Sequence, residues 1–214
     1  MHSKSMGIDI NIRKTKFLII TRKPDEFQNS KLKLNNEDIE RVKRFNYLGT
    51  WLCEDCSSDV EVKCRIEKAR SSFVRFRNIL TNTEFDLNLK IRFTKCYVWS
   101  VLLYGMEGWT LKVNTMNRLK AFEMWVYRRI LKVPWTARRT NEEILERIGR
   151  GRELMSIIKR RKTAYLGHVV RNERYHLLQL IMVGKIGGGG EWAEGRYRGC
   201  EILDNGQGYG PQET

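Results

Sequence analysis

A chain of 214 residues, 41% apolar and 30% charged, is long enough for one cored domain plus a small appendage, and this balance excludes a chain disordered throughout. The net charge is +15; residues 187–214 hold five acids against two bases, so residues 1–186 carry +18. An excess of that size points to a polyanionic partner, with nucleic acid ahead of a membrane surface, because there is no lipidation motif and no run of about 20 apolar residues.

Five cysteines, an odd number, and no signal peptide argue for a reducing, intracellular setting in the cytoplasm or nucleus. Cys53 and Cys56 form a CxxC with Cys64 eight residues on, but no second pair and no nearby His complete a zinc site. These thiols therefore read as free, and no metal site is expected.

Residues 1–52 are expected to be β-rich. Thr15 to Thr21 is a short buried strand by its β-branched and aromatic content. Lys31 to Leu34 alternates, Asn35-Asn36 signals a turn, and Ile39 to Val42 can return as a hairpin partner. Phe45 to Leu52 is another strand-like run, with Gly49 permitting a tight bend. Phe45 and Leu48 are expected in the core, and Tyr47 either in the core or in contact with a ligand. The portion is too small for an independent sheet and reads as part of a larger one.

From Ser57 the period becomes helical. Ser58 followed by Glu61 is a capping box, and Val62, Ile66, Ala69, Phe73, Phe76 and Leu80 make one apolar stripe. Lys63, Arg70 and Arg77 fall on one flanking stripe, with Lys68 and Arg75 on another. Few acids pair with these five charges, and a polyanion would relieve their repulsion. A second helix is expected from Asn88 to Tyr104, closed by Gly105. Its second half, Cys96 to Gly105, is the least polar run of the chain, so it should be the buried centre of a helical unit.

A third helix, Thr115 to Lys132, is expected to start at Asn114 and stop before Pro134, with Met116, Leu119, Phe122, Val126, Ile130 and Val133 inward and Arg118, Lys120, Arg128, Arg129 and Lys132 as its cations. A fourth begins with the capping box Thr140–Glu143 and ends at Gly149. A fifth, Arg152 to Val170, carries the basic run Lys159-Arg160-Arg161-Lys162, and a short sixth covers Tyr175 to Val183. The tail from Gly187 holds nine of the 17 glycines without apolar periodicity and reads as disordered.

Catalytic templates are missing: the chain has no nucleophile elbow, phosphate-binding loop or metalloprotease pair. Asp55, Asp59, Glu61 and Lys63 weakly suggest a metal-dependent nuclease, but a capping box at a helix start accounts for them. The seven Asp include no adjacent pair, so two-metal phosphoryl transfer has no carboxylate cluster to work with.

Several motifs, taken in order, resemble one family. Gly7-Ile8-Asp9-Ile10-Asn11-Ile12-Arg13-Lys14-Thr15-Lys16 resembles the fourth palm motif of reverse transcriptases from non-LTR (LINE-type) retrotransposons, and Phe45-Asn46-Tyr47-Leu48-Gly49 resembles their primer grip. Arg65 to Arg70, Leu102-Leu103-Tyr104-Gly105 with Glu107 and Trp109, Arg118 to Glu123, Arg128 to Leu131, Thr140 to Glu143 and Gly167 to Arg171 are similar to the region that follows. The resemblance covers roughly residues 6–186. The chain departs from the family in its Gly-rich, acid-bearing tail, and the family's catalytic Asp-Asp box is absent.

The resemblance implies an α+β fold: a small β remnant of a polymerase palm in residues 1–52, a mainly helical thumb-like domain in 57–184, and a disordered tail in 187–214. It implies an RNA-directed DNA polymerase fragment of transposable-element origin that binds RNA or an RNA/DNA template–primer without catalysis, its Mg²⁺ belonging to the complete family enzyme and not to this chain. Lys14 would be the vestigial palm lysine, which in polymerases can protonate the leaving pyrophosphate. Tyr47 and Gly49 would approach the primer strand. The expected nucleic-acid contacts are Lys63, Lys68, Arg70, Arg75 and Arg77, with Arg128, Arg129, Lys159 and Arg160 beyond them. The alternatives are a stand-alone or domesticated nucleic-acid-binding helical protein, or a translated relic without function.

Overall fold

The computed structural model describes residues 10–21, 30–34 and 36–183, in a mixed α+β arrangement. Gly7 to Asp9 of the palm-like motif, Asn35 of the expected turn and the Gly-rich tail lie outside the described residues. The chain divides into two compact units, Met1–Lys63 and Cys64–Thr214.

In the first unit, β1 (Lys16–Phe17) pairs in parallel with β3 (Glu37–Arg41), and β2 (Leu32–Leu34) pairs antiparallel with β3 in the register Leu32↔Ile39. The sheet order is β1-β3-β2. Asn36 takes φ +66° in the β2–β3 connection, a left-handed conformation that asparagine tolerates well. The strand expected over Thr15 to Thr21 contracts to two paired residues because its ladder runs only as far as the Val42 N–H bonded to the Phe17 carbonyl, 3.0 Å.

A separate hairpin joins β4 (Arg44–Tyr47) to β5 (Thr50–Cys53), with Tyr47 opposite Thr50. Leu48 (φ +50°) and Gly49 (φ +82°) are both left-handed, as a two-residue type I′ turn requires. The hairpin corrects the expectation of core positions for Phe45 and Leu48. Every residue of β4 is exposed, Tyr47 is 57% exposed and Leu48 is 76% exposed. The tight turn throws Leu48 outward, and among the described residues β4 pairs with β5 alone. Leucine is poorly suited to that backbone. Leu48→Asn is expected to stabilise the protein by about 1 kcal/mol, read as a higher urea midpoint; an unchanged or lower midpoint would contradict the strained turn.

Helix α1 (Asp59–Arg75) starts on a local scaffold: the Asp55 carboxylate accepts from the Ser57 N–H (3.0 Å) and the Ser57 hydroxyl accepts from the Asp59 N–H (3.2 Å). Glu61, assigned to a capping box by its spacing, reaches to β5 and accepts the Trp51 N–H at 2.8 Å. The boundary between the two units falls inside α1.

The second unit is helical. After α1 come α2 (Arg77–Leu80), α3 (Leu87–Thr94), a π-helical turn (Lys95–Trp99) and α4 (Ser100–Leu102). Then follow α5 (Val113–Ile130), α6 (Asn141–Ile148), α7 (Leu154–Arg171) and α8 (His176–Val183). The expected apolar stripe is inward as its spacing requires, although it runs from α1 into α2: Ala69, Phe73 and Leu80 are buried, and Phe76, between the two helices, is half-buried. Leu119, Phe122, Val126 and Ile130 of α5 join them in the core, with Ile144 and Ile148 of α6 and Leu154, Ile158 and Val169 of α7. Each large apolar side chain so buried is worth about 1.5–3 kcal/mol.

Two expected boundaries move. Asn114, the expected cap, lies inside α5, which starts at Val113, two residues before Thr115, after Lys112 with no side-chain cap. The second helix starts at Leu87, where the Asp86 carboxylate accepts the Asn88 N–H at 3.0 Å.

The apolar run Cys96 to Gly105 is only half buried. Val98, Trp99, Leu102 and Leu103 are inward, whereas Cys96, Tyr97 and Tyr104 are exposed. The π turn shifts the helical phase here, and Ser72 Oγ donates to the Tyr97 carbonyl at 2.8 Å. Aromatic and cationic contacts cover the outward rings: Tyr97 lies 4.3 Å from Phe93, and the Arg65 guanidinium sits 4.4 Å from the Tyr104 ring centre. Gly105 then takes φ +70° and turns the chain into the 3₁₀ turn Met106–Gly108.

Candidate nucleic-acid interface

The end of α5 is closed without glycine. The Val133 N–H bonds to the Arg128 carbonyl (2.9 Å) and the Lys132 N–H to the Arg129 carbonyl (3.2 Å), the paired bonds of a Schellman motif. The left-handed position, φ +53°, is held by Lys132, and Pro134 prevents the helix from continuing. Here α5 passes α1 and α2. Arg128 and Arg129 in its last turn offset the partial negative charge of the helix C-terminus.

Trp125 of α5 is the centre of this region. Its ring stacks on Phe122 (centroids 5.6 Å, planes 13° apart) and takes the edge of Phe73 at 5.2 Å. The guanidinium carbons of Arg70 and Arg129 lie 5.1 and 5.5 Å from its ring centre. Each such cation–π contact at a half-exposed site is worth about 0.5–1 kcal/mol and limits where the long arginine side chain can go.

Beside the ring is an open cavity of about 580 Å³. Phe73, Val74, Val133 and Pro134 give it apolar walls, and Arg77, Arg128, Arg129 and Lys132 its cations. A second cavity of about 590 Å³ lies across Trp125 and Arg128, bordered by Lys120, Arg139 and Arg152. Among the described residues, no Asp or Glu lines either one. Arg128 is common to both and is braced: its Nη2 donates to the Arg139 carbonyl (2.9 Å) and to Asn141 Oδ1 (3.1 Å). The Thr140 hydroxyl caps α6 by accepting the Glu143 N–H at 3.2 Å, which fixes Asn141.

Of the residues assigned to nucleic acid, the structure therefore brings together Arg70, Arg77, Arg128 and Arg129. Lys68 and Arg75 are exposed on α1, and Lys159 and Arg160 are exposed on α7, but none of these lines the two cavities. Lys63, also exposed, belongs to the first unit with Tyr47, Gly49 and Lys14. Lys14 is exposed in a turn before β1, where its backbone N–H bonds to the Asn11 carbonyl at 3.1 Å. Lys162, read as part of an outward basic run, turns inward: its Nζ donates to the carbonyls of Glu107 (3.0 Å) and Trp109 (2.7 Å), which ties α7 to the 3₁₀ turn.

Trp125 and Lys132 are the additions that the fold makes. Trp125 had one signal in the sequence, as an aromatic residue off the apolar stripe of α5 and between cations.

A buried carboxylate positions α5 against α7. Glu123 is fully buried, and its Oε1 accepts the N–H groups of Glu153 and Leu154 (2.8 Å each) and the Tyr127 hydroxyl (3.2 Å). It thereby satisfies donors at the start of α7. Burial pushes the Glu123 carboxyl up from the usual carboxylate value, partly offset by those hydrogen bonds. Burial, with Glu123 alongside, holds the Tyr127 phenol far above its ordinary range. Burial also acts to raise Glu153, but Lys95 at 2.5 Å and Arg150 at 3.3 Å outweigh it and bring that carboxyl below its usual value.

No family model and no solved structure matches this chain. It is 25% identical over 175 residues to a transposon-derived protein of Caenorhabditis elegans, a match covering 78% of this chain and 61% of that relative. The likeness points to a transposon-related origin. Among the described residues, no helix is long and apolar enough to cross a membrane.

Proposed function

We infer that this transposon-related chain is a nucleic-acid-binding segment of reverse-transcriptase lineage, which holds RNA or an RNA/DNA duplex by its phosphates and does not itself polymerise. The observation that carries the reading is the gathering of Arg70, Arg77, Arg128, Arg129 and Lys132 around Trp125 with no acid in the cavity walls. Glu67 lies 3.9 Å from Arg70 at an exposed site and offsets it only weakly, while the cations of the cavity rim have no acid in its walls; these repel one another, and a polyanion relieves them while releasing its own counterions. The transposon-derived relative supports the origin. The primer-grip-like Phe45 to Gly49 and the motifs after it support the reverse-transcriptase branch. Within the second unit, Lys68, Arg75, Lys159 and Arg160 are further exposed phosphate contacts; in the first unit, Lys63 is another, and Tyr47 and Gly49 lie at the primer-facing hairpin turn.

Such binding needs no metal from this chain, so affinity is expected to persist in a chelator. The test is a titration of an RNA/DNA hybrid across a salt series. The logarithm of the binding constant should fall linearly with that of salt, by about 0.9 per phosphate engaged. The combined change Arg70→Ala, Arg77→Ala and Arg129→Ala should reduce that slope by roughly 2–3. No binding at low salt would remove the reading. Nucleotide incorporation on a primed template would refute its non-catalytic part.

A further inference from the structure

We propose that the cavity beside Trp125 receives an unpaired nucleotide of a single strand, its sugar–base portion against the apolar wall and its phosphates on the basic rim. The inference rests on the nucleic-acid reading above and narrows it to the strand state that this one site recognises. Phosphate contacts along an exposed helix face do not distinguish duplex from single strand. A concave site of about 580 Å³ does, because it has the volume of a small-molecule pocket and a paired base inside a duplex has no access to it.

The chemistry of the walls is divided as a nucleotide is. Val74 is 59% exposed on α1, next to the buried Phe73, and faces Val133 and Pro134 across the cavity. That aliphatic surface gives a base hydrophobic contact rather than an aromatic stack. Arg77 and Lys132 stand on the rim, while Arg128 is held by Arg139 and Asn141 and Arg129 by the Trp125 ring. Two of the four cations are thus positioned before any ligand arrives, which lowers the ordering cost of binding.

Lys132 supplies a second, independent observation. It occupies the left-handed closing position of α5, where glycine is favoured and a lysine is strained. Of the five non-glycine residues with positive φ among the described residues, Lys132 is the one that lines this cavity.

The experiment compares one RNA hairpin in two forms, blunt-ended and with a short single-stranded overhang, bound to the full chain by fluorescence anisotropy at fixed salt. The wild-type chain is expected to bind the overhang form roughly tenfold more tightly. Val74→Glu places an acid on the exposed apolar wall and should reduce that ratio to about one, with Tm measured alongside to show that the fold persists. Lys132→Gly should reduce the same ratio while raising Tm by roughly 2–4 °C, a divergence that a purely structural lysine would not produce. Equal wild-type affinity for the two hairpins overturns the proposal and leaves general nucleic-acid binding standing. A preference retained in both variants overturns it as well. Failure to bind either hairpin at low salt removes the nucleic-acid reading and this inference together.

Discussion

Glu123→Ala is expected to lower unfolding free energy by about 3–5 kcal/mol, the largest single effect in this protein. The carboxylate has no solvent exposure, and its Oε1 takes three hydrogen bonds, two of them from the first backbone N–H groups of α7. Alanine would leave both N–H groups and the Tyr127 hydroxyl without that acceptor. Glu123→Gln keeps an acceptor at the same distance and should cost less than half as much. Urea denaturation of the two variants checks this; equal losses would mean that packing and not the acceptor carries the effect.

The same residue gives stability a pH dependence. Burial raises the Glu123 carboxyl above its ordinary value of 4.5, so the folded state holds that proton more tightly than the unfolded chain does. The contribution is therefore fully present below the ordinary carboxyl value. It is lost as pH rises through the elevated folded-state value. Subtracting the Glu123→Gln profile isolates it from the opposite trend of Glu153, whose lowered carboxyl stabilises above the ordinary value and loses that as the solution is acidified. A difference profile that rises with pH would contradict the assignment.

Trp125→Ala is expected to cost about 2–4 kcal/mol, because the ring is engaged four times: by Phe122, by Phe73, and by the guanidinium groups of Arg70 and Arg129. It should also weaken nucleic-acid binding several-fold with no change in net charge, since both arginines would lose the surface that orients them. Trp125→Phe retains a ring and should recover most of both losses. Chemical denaturation and an RNA titration on the same samples measure the two effects. Unchanged affinity in a folded Trp125→Ala chain would separate the ring from the binding surface.

The apolar stripe from Val62 to Leu80 and the Thr140 cap of α6 follow from local periodicity and capping chemistry alone, because their partners are a few residues away in the chain. The helical character of residues 59–183 was legible for the same reason. The β hairpin was legible as strand–Gly–strand, but its exposure was not. Phe45 and Leu48 are apolar by type, and it is their place in a two-stranded hairpin, paired among the described residues with β5 alone, that leaves them outward.

The run Cys96 to Gly105 shows the same limit. Composition alone cannot say which side of an apolar helix faces outward; the π turn shifts the phase there, and Ser72 of α1 donates to the Tyr97 carbonyl within it. Charge excess, helical stripes and caps were determined by the sequence itself, since each is a property of residue type and short spacing. The convergence of Arg70, Arg77, Arg128, Arg129 and Lys132 on Trp125, and the inward turns of Glu123 and Lys162, were decided by tertiary packing. Arg128, Arg129 and Lys132 are neighbours of Trp125 along α5, but Arg70 and Arg77, the partners of Glu123 at the start of α7 and the partners of Lys162 are tens of positions away, and only the fold of the helices brings those together.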